Sequence, residues 1–174
     1  HADTLGPLVM GDYSPYSGFS DRHAGTLVSN DCEVAADRMG EMRWAQCYAS
    51  WLPDDSPDIS HHGWYRRQAD WFHQHMADHA DTMAQARSFS EVAGILDAGK
   101  VAAILTVENA ACLDDGLEVV EEFSQDGVLI AGITWNGVNV LGSGNQSYQG
   151  LTELGRTYVA ELERRGIVVD VSHL

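Results

Sequence analysis

The sequence predicts an α/β fold in which parallel strands alternate with helices. Three observations carry this expectation. Residues 101–107, 128–134 and 167–171 are short, continuous apolar runs, the composition of strands buried on both faces. The segments between them, 114–125 and 151–165, read as helices. Each helix reaches the following strand through a short turn, which is the connection of a parallel sheet.

The elements follow in order. Residues 4–40 are rich in Gly, Ser, Asp and Pro and read as a long loop, with turn signals at Gly6-Pro7, Ser14-Pro15 and Ser17-Gly18 and one short helix near 33–39. Residues 42–52 carry Trp44, Tyr48 and Trp51 and read as a strand and then a loop, which Pro53-Asp54-Asp55-Ser56-Pro57 ends. Residues 59–87 read as one long helix, because Trp64, Gln68, Trp71, His75 and His79 fall on a single face. Ser90 opens a short helix that Gly99 closes. In the 114–125 helix, Leu117, Val120 and Phe123 point inward and Gly127 lies beyond the end. Residues 136–150 form a polar, Gly-rich loop whose Asn136, Asn139, Asn145 and Gln146 can hydrogen-bond a peptide. The 151–165 helix has Thr152 as its cap, a stripe of Leu154, Tyr158 and Leu162, and Gly166 as its stop.

Length and charge narrow the function classes. A chain of 174 residues fits one domain. Acidic side chains number 26 against 10 basic ones, a net charge of −16. Phosphates repel such a chain, so nucleic acid and acidic lipid surfaces are poor partners. No run approaches the ~18 consecutive apolar residues of a membrane span. Cys32, Cys47 and Cys112 are odd in number and widely spaced, which argues against a disulfide framework and a cysteine-rich zinc site. They read as buried, inert thiols of a reducing compartment. With no targeting signal in the segment, the expected location is cytoplasmic. The sequence opens on His1 and stops at Leu174 directly after an apolar run, so it reads as a piece of a longer protein.

Polar residues gather where strands end. Glu108 follows 101–107, Trp135-Asn136 follows 128–134, and His173 follows 167–171. His1-Ala2-Asp3 would follow whatever strand comes before it. Ligands of parallel α/β folds bind at the carboxyl ends of the strands, so His1, Asp3, Glu108 and His173 are expected on one rim. Residues i and i+2 of a strand point the same way, so His1 and Asp3 can grip one ion together. Imidazole and carboxylate suit zinc, and also manganese, cobalt and iron. Glu108 could bridge two ions. Taken singly, each has a plainer reading: His-x-Asp is a common pattern, a Glu after a strand often serves as a cap or ion-pair partner, and His173 could be a core histidine. His61, His62, His73, His75 and His79 lie on or beside the long helix without a Glu of the HExxH kind, and read as surface or packing residues. His23 sits in the loop with either role open.

Four motifs, in this order, resemble the membrane dipeptidase (renal dipeptidase) family of zinc peptidases, among the amidohydrolase-like TIM barrels. They are His1-Ala2-Asp3-Thr4, Ala103-Ile104-Leu105-Thr106-Val107-Glu108-Asn109, Ile133-Thr134-Trp135-Asn136-Gly137-Val138-Asn139, and Gly150-Leu151-Thr152-Glu153-Leu154-Gly155 running on to Val169-Asp170-Val171-Ser172-His173. The resemblance covers essentially the whole chain. It implies the N-terminal half of a (β/α)8 barrel, ending at about the fifth strand, as a partial peptidase domain over 1–174 that continues past Leu174. It implies two zinc ions, with His1 and Asp3 on one, Glu108 bridging both as the catalytic carboxylate, and His173 on the second beside a further histidine beyond Leu174. A hydroxide between the ions would attack the peptide bond of a dipeptide. Trp135 and Asn136 would bind substrate. Animal members carry a histidine that helps bind substrate where Trp135 aligns, so the resemblance does not carry their fine substrate specificity over to this chain.

Two other functions fit the same residues: another amidohydrolase-type metal hydrolase acting on a different amide or ester, or a non-catalytic metal-binding half-barrel assembling with a second chain. An isolated half-barrel would expose strand edges and favour association, so a homodimer is allowed as well.

Overall fold

The strand expected over 101–107 is the longest of the parallel ladder and runs from Val101 to Glu108. The structure, a computed structural model, describes residues 1–10, 24–55 and 59–174. The turn signals at Ser14-Pro15 and Ser17-Gly18, together with His23, Ser56 and Pro57, lie outside the described residues. In chain order the elements are α1 (Leu5–Met10), β1 (Ala45–Trp51), α2 (His61–Asp78), β2 (Met83–Gln85), α3 (Phe89–Asp97), β3 (Val101–Glu108), α4 (Val119–Asp126), β4 (Ile130–Gly132), β5 (Val138–Asn139), β6 (Gly142–Ser143), α5 (Glu153–Arg165) and β7 (Val168–Asp170). Short 3-10 turns lie at Ala36–Arg38 and Ala111–Asp115. The chain folds as two compact units, His1–Ser50 with Arg67–Leu105, and Trp51–Arg66 with Thr106–Leu174.

In the first unit, the backbone of Ala2 bridges in parallel to Tyr48 of β1. Two hydrogen bonds hold it, Ala2 N–H to Cys47 O at 2.8 Å and Ala49 N–H to Ala2 O at 3.0 Å. The chain then enters α1, which the expected loop over 4–40 did not include. Pro7 does not oppose this helix, because it sits in the first turn, where a missing N–H costs nothing. Leu5 and Met10 are fully buried and anchor it. The 3-10 turn at Ala36–Arg38 lies inside the short helix expected near 33–39.

The long helix is shorter than expected, ending at Asp78 rather than near 87. The next three-residue stretch, Met83–Gln85, pairs in parallel with Val101–Ala103 of β3 instead. Met, Ala and Gln favour helices intrinsically, and here the open backbone groups of β3 override that preference. The face of α2 predicted from its spacing is the packed one: Gln68 and His75 are buried in the first unit, and Trp64 in the second. The short helix before β3 starts at Phe89 after Ser88, close to the expected Ser90.

In the second unit, the end of β3 pairs in parallel with β4, and β4 with β7. β4 and β7 are three residues each, shorter than the apolar runs that mark them, because only those residues find a ladder partner. The helix expected over 114–125 splits. Gly116, at φ 116°, separates the 3-10 turn from α4, and Leu117 is half-buried at the break while Val120 and Phe123 are buried. Gly127 closes α4 in the left-handed conformation, φ 77°. The loop over 136–150 contains a small antiparallel hairpin, β5 with β6. Helix α5 forms where the sequence places it. The Thr152 hydroxyl accepts the N–H of Gly155 at 3.0 Å, and Tyr158 and Leu162 are buried. Tyr158 donates its hydroxyl to Gly132 O at 3.2 Å, tying α5 to β4.

The thiols are less buried than expected. Only Cys112 is buried; Cys32 and Cys47 are half-buried, although all three are free. Burial still pushes each thiol upward, Cys32 to about 11, so none is a ready thiolate. Among the described residues, no helix is long and apolar enough to cross a membrane.

Candidate metal centre

The sequence-selected residues form two acid–histidine pairs, one in each unit. In the first unit, His1 Nε2 and Asp3 Oδ1 are 3.1 Å apart. Ala2, between them, is buried against β1, so the alternation of an extended chain sends both polar side chains outward. Both residues are exposed.

In the second unit, His173 Nε2 stands 2.9 Å from Glu108 Oε1. Glu108 is the last residue of β3 and is buried. His173 is half-buried just beyond β7. Its backbone has a positive φ of 68°, a left-handed conformation in which histidine, like Asn and Asp, is enriched among non-glycine residues. An Asp170-centred turn holds it there: Asp170 Oδ1 accepts the Ser172 N–H at 2.9 Å and the Ser172 hydroxyl at 2.7 Å. Asn109, directly after Glu108, also has a positive φ, 65°, which asparagine tolerates well.

Both pairs offer donor atoms of the kinds that zinc binds. Zinc bonds of ~2.0–2.1 Å to nitrogen and oxygen put the ligand atoms of a tetrahedral site about 3.3 Å apart. The two observed separations fall just short of that, as expected of the same atoms hydrogen-bonding to each other.

Trp135, beyond β4, is half-buried and meets Trp51 edge to face, with centroids 5.0 Å apart and planes at 80°. Asn136 is half-buried, and its backbone carbonyl accepts the Gln146 N–H at 3.1 Å. Asn139, which the sequence offers as a peptide-binding amide, is already engaged. Its Nδ2 donates to Asn109 Oδ1 and Ile133 O, and its Oδ1 accepts the N–H groups of Leu141 and Gly142.

The helix histidines are engaged in packing contacts, hydrogen bonds and ion pairs. His75 accepts the Leu27 N–H at 3.2 Å and stacks on Trp71, 4.9 Å between centroids. Burial, with His79 alongside, lowers its pKa to about 4. His61 pairs with Asp114 at 3.3 Å, and His62 with Glu122 at 3.0 Å. His73 packs edge-on to Phe72.

One residue escaped the sequence reading. Asp54 stood only as part of a chain break, yet its carboxylate binds Asn109 and the backbone N–H of Gly137. No local pattern links these partners, which are 55 and 83 positions away from it.

A family model described as membrane dipeptidase, peptidase family M19, matches residues 19–174. The chain belongs to this family. The matched span includes Glu108, Trp135, Asn136 and His173; His1 and Asp3 precede it. Solved structures agree on the fold. An amidohydrolase from Pseudomonas aeruginosa is similar at 26% identity and a TM-score of 0.69, over 79% of this chain and 41% of that one. The dipeptidase AC, a metallo peptidase of family M19, is similar at 24% identity and a TM-score of 0.72, over 81% and 47%. A metallo peptidase from Rhodobacter sphaeroides, solved with a phosphinate mimic of the dipeptide L-Ala-D-Ala, is similar at 23% identity and a TM-score of 0.72, over 81% and 50%. This member of the M19 family therefore spans half or less of each of these structures. No curated protein sequence matches it. The expected fold class holds: α/β, with parallel strands alternating with helices as in part of a TIM barrel.

Proposed function

We propose that the protein to which this chain belongs is a metal-dependent dipeptidase, with His1, Asp3, Glu108 and His173 as metal ligands. The observation that carries this is the Glu108–His173 pair, at the carboxyl ends of two parallel strands in a member of the membrane dipeptidase family. The His1–Asp3 pair supplies the same donor types. Zinc would suit these imidazoles and carboxylates, and the proposal includes two ions, with Glu108 as the ligand they would share, as the family resemblance implies. Bound there, the ions would supply Lewis acidity and lower the pKa of water, giving a nucleophile at neutral pH.

The residues of this chain do the rest. Glu108, the buried last residue of β3, presents its carboxylate at the strand end. The turn at Asp170 holds the His173 ring toward that carboxylate. Trp135 would offer a flat apolar wall and one N–H donor to the substrate, and Asn136 a carboxamide for the peptide. Because the Rhodobacter metallo peptidase was solved with a mimic of L-Ala-D-Ala, that dipeptide is a sensible first substrate.

Hydrolysis of a dipeptide panel by the complete protein, with and without chelator, tests the proposal. Activity that chelation removes and zinc restores supports it; no turnover of any dipeptide by the zinc-loaded protein refutes it. Similarity to the Pseudomonas amidohydrolase favours a second reading, a metal hydrolase acting on other amides, and the same assay with simple amides separates the two. A homodimer belongs to the proposal and is checked by sedimentation.

A further inference from the structure

Behind Glu108, within the second unit, the polar groups form one continuous chain of hydrogen bonds. Asn109 is fully buried. Its Nδ2 donates to Leu52 O at 2.8 Å and to Asp54 Oδ1 at 3.1 Å. Its Oδ1 accepts Asn139 Nδ2 at 2.9 Å, and that amide also donates to Ile133 O at 2.8 Å. Asn139 Oδ1 accepts the N–H groups of Leu141 at 2.8 Å and Gly142 at 3.2 Å, at the turn of the β5–β6 hairpin. The other oxygen of Asp54, Oδ2, accepts the Gly137 N–H at 2.9 Å.

The chemistry makes Asp54 the anchor of this chain. Both of its partners are N–H donors, so both of its atoms must accept. A carboxylate has two acceptor oxygens, whereas a carboxamide has one. Gly137 is equally constrained, because a Cβ there would stand 2.8 Å from Asp54 Oδ2. With its donors taken by Leu52 and Asp54, the Asn109 amide has one orientation, which in turn orients Asn139. A single side chain thus ties the residue after Glu108 to Gly137, in the loop that follows Trp135.

We infer that Asp54 is a positioning residue for the proposed dipeptidase reaction: it sets the Trp135–Gly142 loop against the strand end that carries Glu108. This rests on the reading of Glu108 as a metal ligand and of Trp135 as a wall of the substrate site. Both carboxylate oxygens of Asp54 are engaged by Asn109 and Gly137, so it acts through the loop rather than on the substrate. Its loss displaces the loop and leaves the ligands in place, so substrate binding suffers more than turnover.

The test uses the complete protein loaded with zinc, comparing Asp54→Asn and Asp54→Glu with wild type. In Asp54→Asn one acceptor becomes a donor facing an N–H group. Zinc content by elemental analysis is expected to stay at the wild-type value. Hydrogen exchange over 136–144 rises while exchange over β3 is unchanged. KM for a dipeptide rises about tenfold, the scale of one lost charge-assisted hydrogen bond, and kcat changes less than about twofold. Asp54→Glu keeps both acceptors and recovers part of the KM.

Altered exchange with wild-type KM and kcat makes Asp54 a clasp for stability alone and overturns the inference. So does unchanged exchange over 136–144. If Asp54→Asn does not fold, Asp54→Glu decides: a displaced loop with wild-type KM overturns the inference, and a parallel rise in both supports it. A wild type that turns over no dipeptide overturns the dipeptidase reading, and this role with it. A wild type that does, beside an unchanged Asp54→Asn, overturns Asp54 alone.

Discussion

The Nε2 of His173 lies 2.9 Å from the Glu108 carboxylate, joining the turn after β7 to the last residue of β3. A buried carboxylate so placed is expected to dominate metal retention. In the complete protein, Glu108→Ala should lower zinc content at both sites of a two-metal centre, whereas Asp3→Ala should empty mainly one. Both should abolish dipeptide hydrolysis. Elemental analysis of the purified variants checks this, and unchanged stoichiometry in Glu108→Ala would rule out a bridging role.

Trp135 meets Trp51 edge to face and is half-buried, so part of its surface remains to contact a ligand. Trp135→His and Trp135→Ala are expected to change the ranking of substrates across a dipeptide panel at constant zinc content. A uniform loss of activity on every dipeptide would mean that the ring only packs.

Stability should fall in mild acid through His75. Its folded pKa is lowered from 6.5 to about 4 by burial, so the folded ring stays neutral while the unfolded chain takes up a proton. The contribution is complete above pH 6.5 and is lost as the pH falls toward 4. Between pH 7.5 and 5.5 the loss is about 1 kcal/mol, a window above most carboxylate titration. His75→Gln keeps an acceptor for the Leu27 N–H and should flatten that slope in urea unfolding. Identical slopes in the two proteins would contradict this.

Thr152 caps α5 and also donates its hydroxyl to Val140 O at 2.8 Å, linking the helix to the hairpin loop. Thr152→Ala should cost about 1 kcal/mol in chemical denaturation. Thr152→Ser, which keeps the hydroxyl, should recover most of it. Equal losses in both would assign the effect to the methyl group.

What could be read along the chain was whatever a local pattern encodes. The apolar run at 101–107 marks a buried strand because a parallel strand hides both faces, and β3 lies there. Thr152 and Gly166 bound a helix because one accepts a backbone N–H and the other adopts positive φ without strain, and α5 runs between them. The spacing of His1 and Asp3 implies a shared direction, and the two side chains pair at 3.1 Å. Glu108 and His173 stood out because each follows a strand. Other features have no local signature. Met83–Gln85 favours a helix by composition and becomes β2 because β3 presents unpaired backbone groups beside it. The buried face of α1 depends on a core that distant segments supply. Asp54, Asn109 and Asn139 show no mutual relation in the sequence. Folding brings their donors and acceptors together, and buried polar groups must find partners where they meet.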